Sequence, residues 1–227
     1  MKNLIFDIEA DGLTPSKIWC IVAKDLDSNT VYEYGPDKLE EGIELLRNAE
    51  TLVGHNIIGY DIPVIEKLHR VKLTSNVIDT LVLSRLFQPV RENGHSLRTW
   101  GYRIGVHKQV QPDDFDCYTP EMLSYCRQDV LLNEQVYLKL LEEGRGFNQE
   151  SIDLETNVAK IMHEQEQTGF LFDIEKASML LAKLKTRMVE VEDEVQRTFK
   201  PKWVDDKLVT PYICLLYTSD AADESAC

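Results

Sequence analysis

The sequence predicts an α/β fold in which a mixed five-stranded sheet is flanked by helices and followed by a helical extension. Three observations predict this fold. Three short apolar segments separated by tight turns occupy residues 3–34, strand-like and helical segments then alternate up to about residue 147, and only helical patterns follow from residue 149. Adjacent antiparallel strands followed by alternating helices and strands are typical of a mixed sheet with helices on its faces.

The first three strands are predicted by apolar runs that end at turn residues. Residues 3–9 form a run that ends before the turn pair Asp11-Gly12, and residues 18–24 form a second run. Residues 30–34 form a third, which stops at Gly35-Pro36. Asp, Gly and Pro end strands because they favour turn conformations. The short connections predict an antiparallel meander.

The rest of the first 147 residues alternates between helical and strand-like patterns. Apolar spacing predicts helices at 37–48, 62–68, 81–87, 96–104 and 121–143, and short apolar runs predict strands at 51–54 and 77–78. Asp37 and Asp79 precede helices as candidate N-caps. Pro120 and Gly144 bracket the long fifth helix, as is usual for these two residue types.

Beyond this region the sequence predicts a helical segment and an irregular tail. Residues 151–168 and 175–199 have helical patterns, and Gly144-Arg145-Gly146 suggests a boundary, so the expected division is 1–147, 148–205 and 206–227. The last dozen residues follow no helix or strand pattern and resemble a translated sequencing-adaptor string from assembled metagenomic reading frames. We therefore expect a truncated chain with a non-native tail; a disordered natural C-terminus is the alternative.

Composition restricts the class of protein. The chain has a net charge of -14, and no apolar run approaches the ~20 residues that a membrane span requires, so we expect a cytoplasmic protein without a membrane partner. Its five cysteines include no C-x-x-C pair, which favours reduced thiols over a zinc site. Residues 67–110 differ from the rest because they contain eight basic and two acidic residues. That segment is either a source of phosphate contacts or an ordinary solvated surface.

Acidic residues occur at three places where the predicted elements end or begin. Asp7 and Glu9 are two residues apart on the first strand, so their carboxylates share one face. Asp61 follows the fourth strand and opens a helix. Tyr125 and Asp129 share one face of the long helix because they are four residues apart. Taken singly, these residues could be a solvated strand end, a helix cap and a packed amphipathic tyrosine.

Together the three places form an Asp-Glu-Asp-Asp pattern with a tyrosine. This pattern and several flanking strings resemble the 3′-5′ proofreading exonuclease domain of family A DNA polymerases, and within that family the short-tailed phage type. The resemblance implies a ribonuclease H-like fold and extends over residues 1–205. The strings occupy residues 7–10, 55–61, 78–86, 100–105, 113–115, 128–130 and 168–173.

The resemblance implies hydrolysis that uses two divalent metal ions, Mg²⁺ or Mn²⁺, to remove nucleotides from the 3′ end of DNA. It implies that Asp7 contacts both ions, that Glu9 and Asp129 complete the site that activates water, and that Asp61 supports the second ion. Tyr125 would orient the water. The resemblance also assigns substrate contacts to Leu13 and Asn56, although these could be an ordinary turn residue and a strand-end cap.

The basic segment adds two candidate substrate contacts, Arg98 and Arg103, which could instead pair with the excess of acidic residues. The expected partners are a single-stranded DNA 3′ end and the polymerase domain of the same chain, whose helical start would be residues 148–205. Two alternatives stay open. One is an exoribonuclease of the same superfamily, and the other is a catalytically silent module that only binds nucleic acid.

Overall fold

The computed structural model describes residues 2–106, 116–204 and 207–209. The chain divides into two compact units, of which the first ends at Gly169 and the second begins at Phe170. The resemblance string at 113–115, Lys108 and most of the expected tail lie outside the described residues. The first unit contains β1 (Lys2–Ala10), β2 (Ile18–Asp25), β3 (Val31–Tyr34), α1 (Leu39–Arg47), β4 (Ala49–Gly54), α2 (Asp61–His69), β5 (Asn76–Asp79), α3 (Thr80–Phe87), α4 (Leu97–Ile104), α5 (Pro120–Glu143) and α6 (Gln149–Thr168).

The five strands of the first unit form one mixed sheet in the order β3-β2-β1-β4-β5. β1 pairs with β2, and β2 with β3, in antiparallel fashion, which confirms the predicted meander. β1 and β4, and β4 and β5, pair in parallel. The carboxyl ends of β1, β4 and β5 therefore meet at one edge of the sheet, where functional groups of such sheets commonly lie.

The central strand β1 has apolar side chains on both faces, because helices cover the sheet on each side. Leu4, Phe6 and Ile8 pack in a core cluster with residues of α1 and α2. Ile5 lies on the opposite face, in a cluster to which α5 contributes Met122, Cys126 and Val130. The alternation of strand side chains thus places Asp7 and Glu9 on the face that α5 covers.

Capping side chains set the start of several helices, but not of α1 or α2. Asp79 caps α3 as predicted, since its carboxylate accepts a hydrogen bond from Leu81 N. Ser96 and Thr119 cap α4 and α5 in the same way. The prediction that Asp37 caps α1 is wrong, because a 3₁₀ turn at Pro36–Lys38 precedes the helix and places Lys38 at its N-cap.

The second unit contains α7 (Ile174–Thr198), β6 (Lys202–Val204) and β7 (Lys207–Val209). α7 begins at Asp173, whose carboxylate accepts a hydrogen bond from Lys176 N. β6 and β7 form an antiparallel pair, which the sequence analysis did not predict. None of the helices in the described part of the chain combines the length and apolar character that a membrane span requires.

Candidate active site

Asp7 and Glu9 lie near the carboxyl end of β1, where the strand leaves its parallel neighbour. β1 pairs with β4 as far as Ile5 opposite Val53, and β4 ends at Gly54. Both acidic side chains are half-buried. Burying carboxylates is costly unless cations or hydrogen bonds compensate for the lost water, so this pair is more than a solvated strand end.

Helix α5 contacts the end of β1 through Cys126. The Cys126 Sγ atom lies 3.4 Å from the Asp7 backbone oxygen and 3.6 Å from Asp7 Oδ2. Asp129 lies three residues further along α5, on the same side of the helix as Cys126, and Tyr125 directly precedes Cys126. Tyr125 and Asp129 are buried, with 6% and 4% of their surfaces exposed. The structure therefore places the Tyr125–Asp129 turn of α5 against the acidic end of β1.

Asp61, the first residue of α2, reaches the same strand from the other side. Its Oδ1 atom accepts a hydrogen bond from Ile8 N at 3.2 Å, so its carboxylate lies beside the backbone between Asp7 and Glu9. Asp61 does not cap its own helix through its side chain, because Tyr60 is the N-cap residue and no side-chain cap bond forms. Burial raises the pKa of Asp61 to about 7.

The donor atoms at this end of β1 fit a divalent cation. Asp7, Glu9 and Cys126 offer ligand atoms that all lie within 4.8 Å of one another, and Asp61 adds a fourth group at Ile8. Carboxylate oxygens are the ligands that Mg²⁺ and Mn²⁺ prefer. A cation here would also favour the charged form of Asp61, whose burial alone disfavours it. Cys126 has a pKa raised well above its usual value by burial, which makes its thiol a poor competitor for a hard ion.

The loop between β4 and α2 is held in place by Asp79. The Asp79 carboxylate accepts hydrogen bonds from Asn56 N at 2.8 Å and Ile58 N at 3.0 Å, in addition to its cap bond. Asn56 has a left-handed backbone with φ of 65°, a conformation that Asn tolerates better than most residues. A Cβ at Gly59 would lie 2.6 Å from Asn56 Oδ1, so the amide of this exposed residue folds over Gly59.

Tyr60 connects this loop to the turn that follows β1. Its hydroxyl donates a hydrogen bond to the Gly12 backbone oxygen at 2.6 Å. Asp11 fixes the other end of the same turn by accepting hydrogen bonds from Ser16 N and Lys17 N. Leu13 projects from this turn with 93% of its surface exposed. The structure thus places an exposed apolar side chain on a turn that is tied to the residue preceding Asp61.

The two predicted phosphate contacts lie on α4. Arg98 is exposed. The Arg103 guanidinium donates hydrogen bonds to the backbone oxygens of Glu92 and Gly94, and so supports the preceding loop. Arg91, which belongs to the same basic segment, is buried and paired with Glu143. The basic segment therefore has two kinds of arginine, one structural and one directed to the surface.

Two residues of the site were not singled out in the sequence analysis. Cys126 was part of the Tyr125–Asp129 segment but had no assigned contact, although it touches Asp7. Tyr60 stood in the string at 55–61 without a role, although it joins two loops. No local pattern marks either residue, because both contacts join segments that are far apart in the chain.

Comparison with known proteins gives similarity to one family model and to two curated relatives. The family model described as the RNase H superfamily matches residues 4–102. The DNA-directed DNA polymerases of Escherichia phage T7 and Enterobacteria phage T3 are each 27% identical to the chain over 275 aligned positions, which cover 93% of the chain. The chain is thus similar in sequence to the RNase H superfamily over residues 4–102 and to these two polymerases over most of its length. It spans 39% of the length of these two polymerases.

Solved structures show that the fold is ribonuclease H-like, as predicted. NrnC of Brucella melitensis bound to pGG is 18% identical with a TM-score of 0.60, and the match covers 77% of this chain and 89% of that one. NrnC with bound Mg²⁺ gives a TM-score of 0.57 at 17% identity over 77% and 90% of the two chains. Escherichia coli RNase D, an exoribonuclease involved in structured RNA processing, is 16% identical with a TM-score of 0.54 over 72% and 45%.

Proposed function

We propose that the chain removes nucleotides one at a time from the 3′ end of DNA, by hydrolysis at a centre of two divalent metal ions. One observation carries this proposal. Asp7, Glu9 and Cys126 offer ligand atoms within 4.8 Å of one another, the Asp61 carboxylate contacts the backbone amide between the two acids, and Asp129 lies one helical turn from Cys126. Two bound Mg²⁺ or Mn²⁺ ions would activate the attacking water and stabilise the leaving oxygen.

The residues of the site would have different roles in hydrolysis. Asp7 would contact both ions, Glu9 and Asp129 would complete the site that activates water, and Asp61 would support the second ion. The Tyr125 hydroxyl would accept or donate a hydrogen bond to the attacking water and so fix its direction. The complete set of acidic groups and the tyrosine argue against a silent binding module, since a silent domain has no need to keep buried carboxylates together.

The similarity to the phage T7 and T3 polymerases supports DNA as the substrate and proofreading during replication as the role. In that assignment residues 148–205 begin the polymerase part, which would be the partner of this domain within the chain, and the protein acts in the cytoplasm of the phage host. The exoribonuclease alternative keeps some support from the likeness of the fold to RNase D. The carboxylates alone do not separate the two substrates.

The surroundings of the site support a single-stranded 3′ end. Leu13 is an exposed apolar side chain that could wedge against the terminal base, and Asn56 is exposed on the loop that Asp79 holds. Opening a base pair costs a few kcal/mol, which a frayed or single-stranded end has already lost. Arg98 would add a phosphate contact further along the strand, whereas Arg103, the other predicted contact, already bonds the Glu92 and Gly94 backbone oxygens.

The test is the direction and substrate preference of hydrolysis. A single-stranded DNA labelled at its 5′ end should give a ladder of products shortened one nucleotide at a time in Mg²⁺, and no products in EDTA. The same DNA labelled at its 3′ end should release labelled mononucleotide at once. A blunt duplex should react more slowly, and RNA of the same sequence serves as the second substrate. Faster hydrolysis of the RNA would favour the exoribonuclease, and equal rates on duplex and single strand would contradict the proposed site.

A further inference from the structure

The loop before α4 and the exposed face of that helix enclose a groove of about 440 Å³. The exposed residues Arg98 and Tyr102 stand on its helical side, and the loop forms the other side. Tyr102 exposes 67% of its surface, so one side of its ring is accessible from the groove. The groove is lined by Glu92, Asn93, Arg98, Thr99, Tyr102 and Arg103.

The walls of the groove are fixed by hydrogen bonds between the loop and the helix. Thr99 Oγ1 donates to the Asn93 backbone oxygen at 3.1 Å, and Arg103 donates to the Gly94 backbone oxygen at 2.9 Å. Asn93 and Gly94 both have positive φ, of 59° and 82°, which gives the loop its sharp bend. The groove is therefore formed before any ligand arrives, which lowers the entropic cost of binding.

Below the groove, the indole of Trp100 anchors α4 to the body of the domain. The guanidinium carbons of Arg91 and Arg103 lie 4.4 Å and 5.1 Å from the centroid of the Trp100 ring. Trp100 Nε1 donates to Ser84 Oγ on α3 at 3.0 Å. Arg103 is thus a supporting residue of the groove, whereas Arg98 and Tyr102 are exposed side chains on its helical side.

The groove is linked through Trp100 and α3 to the loop that precedes Asp61. Asp79, which holds the loop at 56–58, caps α3, and Ser84 lies five residues further along, about 7 Å of helical rise. A nucleic-acid strand that enters the active site by its 3′ end would need contacts for its preceding nucleotides. Exposed aromatic rings that stack on bases, combined with arginines that contact phosphates, are the usual means of binding single strands.

We propose that this groove binds single-stranded nucleic acid, with a base stacked on the Tyr102 ring and a phosphate at Arg98. The inference rests on the proposed function, because it gives the strand a second contact ahead of the hydrolysed end. The Glu92 carboxylate partly offsets the charge of the two arginines. Binding here therefore depends on stacking as well as on charge, and a purely electrostatic ligand such as an acidic peptide fits less well.

The experiment measures the affinity of the full chain for fluorescein-labelled oligothymidylate at several salt concentrations, in EDTA so that no hydrolysis occurs. Tyr102→Ala should weaken binding about tenfold without changing the salt slope, and Tyr102→Phe should bind within about twofold of the wild type because the ring remains. Arg98→Ala should lower the salt slope by about 0.7. Arg47→Ala, which removes an exposed arginine on α1, is the matched control and should change neither quantity.

Wild-type affinity and slope in Tyr102→Ala and Arg98→Ala would overturn the proposal, and so would a Tyr102→Phe variant as weak as Tyr102→Ala. A blunt duplex that binds more tightly than the single strand, with the same dependence on Tyr102, would also overturn it. A hydrolysis assay in Mg²⁺ separates this inference from the proposed function. If the wild type hydrolyses DNA but the groove variants bind normally, the groove proposal is wrong and the proposed function is unaffected. If the groove variants bind the oligonucleotide more weakly but the wild type does not hydrolyse DNA, the proposed function is wrong and the groove proposal is unaffected.

Discussion

The carboxylate of Asp61 accepts a hydrogen bond from the backbone amide of Ile8 at 3.2 Å, across 53 residues of sequence. β1 extends beyond the end of β4, so this amide has no partner from the neighbouring strand. Asp61 satisfies it and at the same time places its buried carboxylate beside Asp7 and Glu9. One hydrogen bond therefore satisfies the amide at the edge of the sheet and brings a third carboxylate to the end of β1.

Asp79 should be more important for stability than an ordinary helix cap. Asp79→Ala removes the acceptor for the amides of Asn56, Ile58 and Leu81, and we expect a loss of roughly 3 kcal/mol in the free energy of unfolding. Ser96→Ala removes the cap of α4 together with the contact between the Ser96 and Thr99 hydroxyls, and should lower the free energy of unfolding by about 1 kcal/mol. Urea unfolding of both variants checks this difference. Equal losses would mean that the loop at 56–58 does not depend on Asp79.

Tyr60 should affect catalysis more than stability. Tyr60→Phe keeps the ring but removes the hydrogen bond to the Gly12 oxygen, which frees the turn that presents Leu13. We expect kcat/KM on single-stranded DNA to fall several-fold, while urea unfolding changes by no more than about 1 kcal/mol. Burial next to Asp61 raises the pKa of Tyr60 to about 12, so its hydroxyl stays a donor throughout an ordinary pH range. Unchanged kinetics would show that the turn is held by Asp11 alone.

Breaking the ion pair of Arg91 and Glu143 should have a different electrostatic cost depending on which partner is removed. The Arg91 side chain is 3% exposed and the Glu143 side chain 27% exposed, so removing Glu143 leaves a buried charge, whereas removing Arg91 leaves one that water can reach. Glu143→Ala should lower the free energy of unfolding by roughly 3 kcal/mol, because the Arg91 charge stays buried without its partner. The electrostatic part of the loss in Arg91→Ala should be smaller, because water can reach the remaining Glu143 carboxylate. Arg47→Ala breaks a solvent-exposed pair with Glu44 and should cost less than about 0.5 kcal/mol. A Glu143→Ala variant as stable as Arg47→Ala would contradict the burial of this pair.

Cysteine reactivity should follow burial. Cys117 is exposed, whereas Cys20 and Cys126 are buried, and burial raises the pKa of the Cys126 thiol. Brief treatment of the native chain with iodoacetamide, followed by peptide mass spectrometry, should modify Cys117 and leave the other two unmodified. Treatment in urea is the control and should modify Cys20 and Cys126 as well as Cys117. Rapid modification of Cys126 in the native chain would mean that α5 does not pack on β1 as described.

Much of the fold could be predicted because each element is encoded locally. The apolar run of β1, the cap at Asp79 and the Pro120 and Gly144 limits of α5 are short-range signals, and the structure confirms them. β6 and β7 were missed because strands of three residues are too short to show an alternating pattern. The cap of α1 was assigned to Asp37 because the sequence pattern does not separate a 3₁₀ turn from the first turn of a helix.

The candidate site could be predicted only in part. The spacing of Asp7 with Glu9, and of Tyr125 with Asp129, follows from strand and helix geometry. The contact of Cys126 with Asp7 joins residues 119 positions apart, and it depends on the way α5 packs across the sheet. The burial of Arg91 was equally inaccessible, since the sequence does not distinguish an arginine paired with Glu143 from an exposed one such as Arg98.

The most direct test of the account is single-turnover hydrolysis of 5′-labelled single-stranded DNA in Mg²⁺ by the wild type, Asp7→Ala and Tyr125→Phe. Asp7 is assigned to both metal ions, so Asp7→Ala should remove nearly all hydrolysis while retaining the folded structure. Tyr125→Phe should leave a measurable remnant, because the water would lose its orientation but not its activation. Wild-type rates in Asp7→Ala would contradict the assignment of this cluster as the hydrolytic centre.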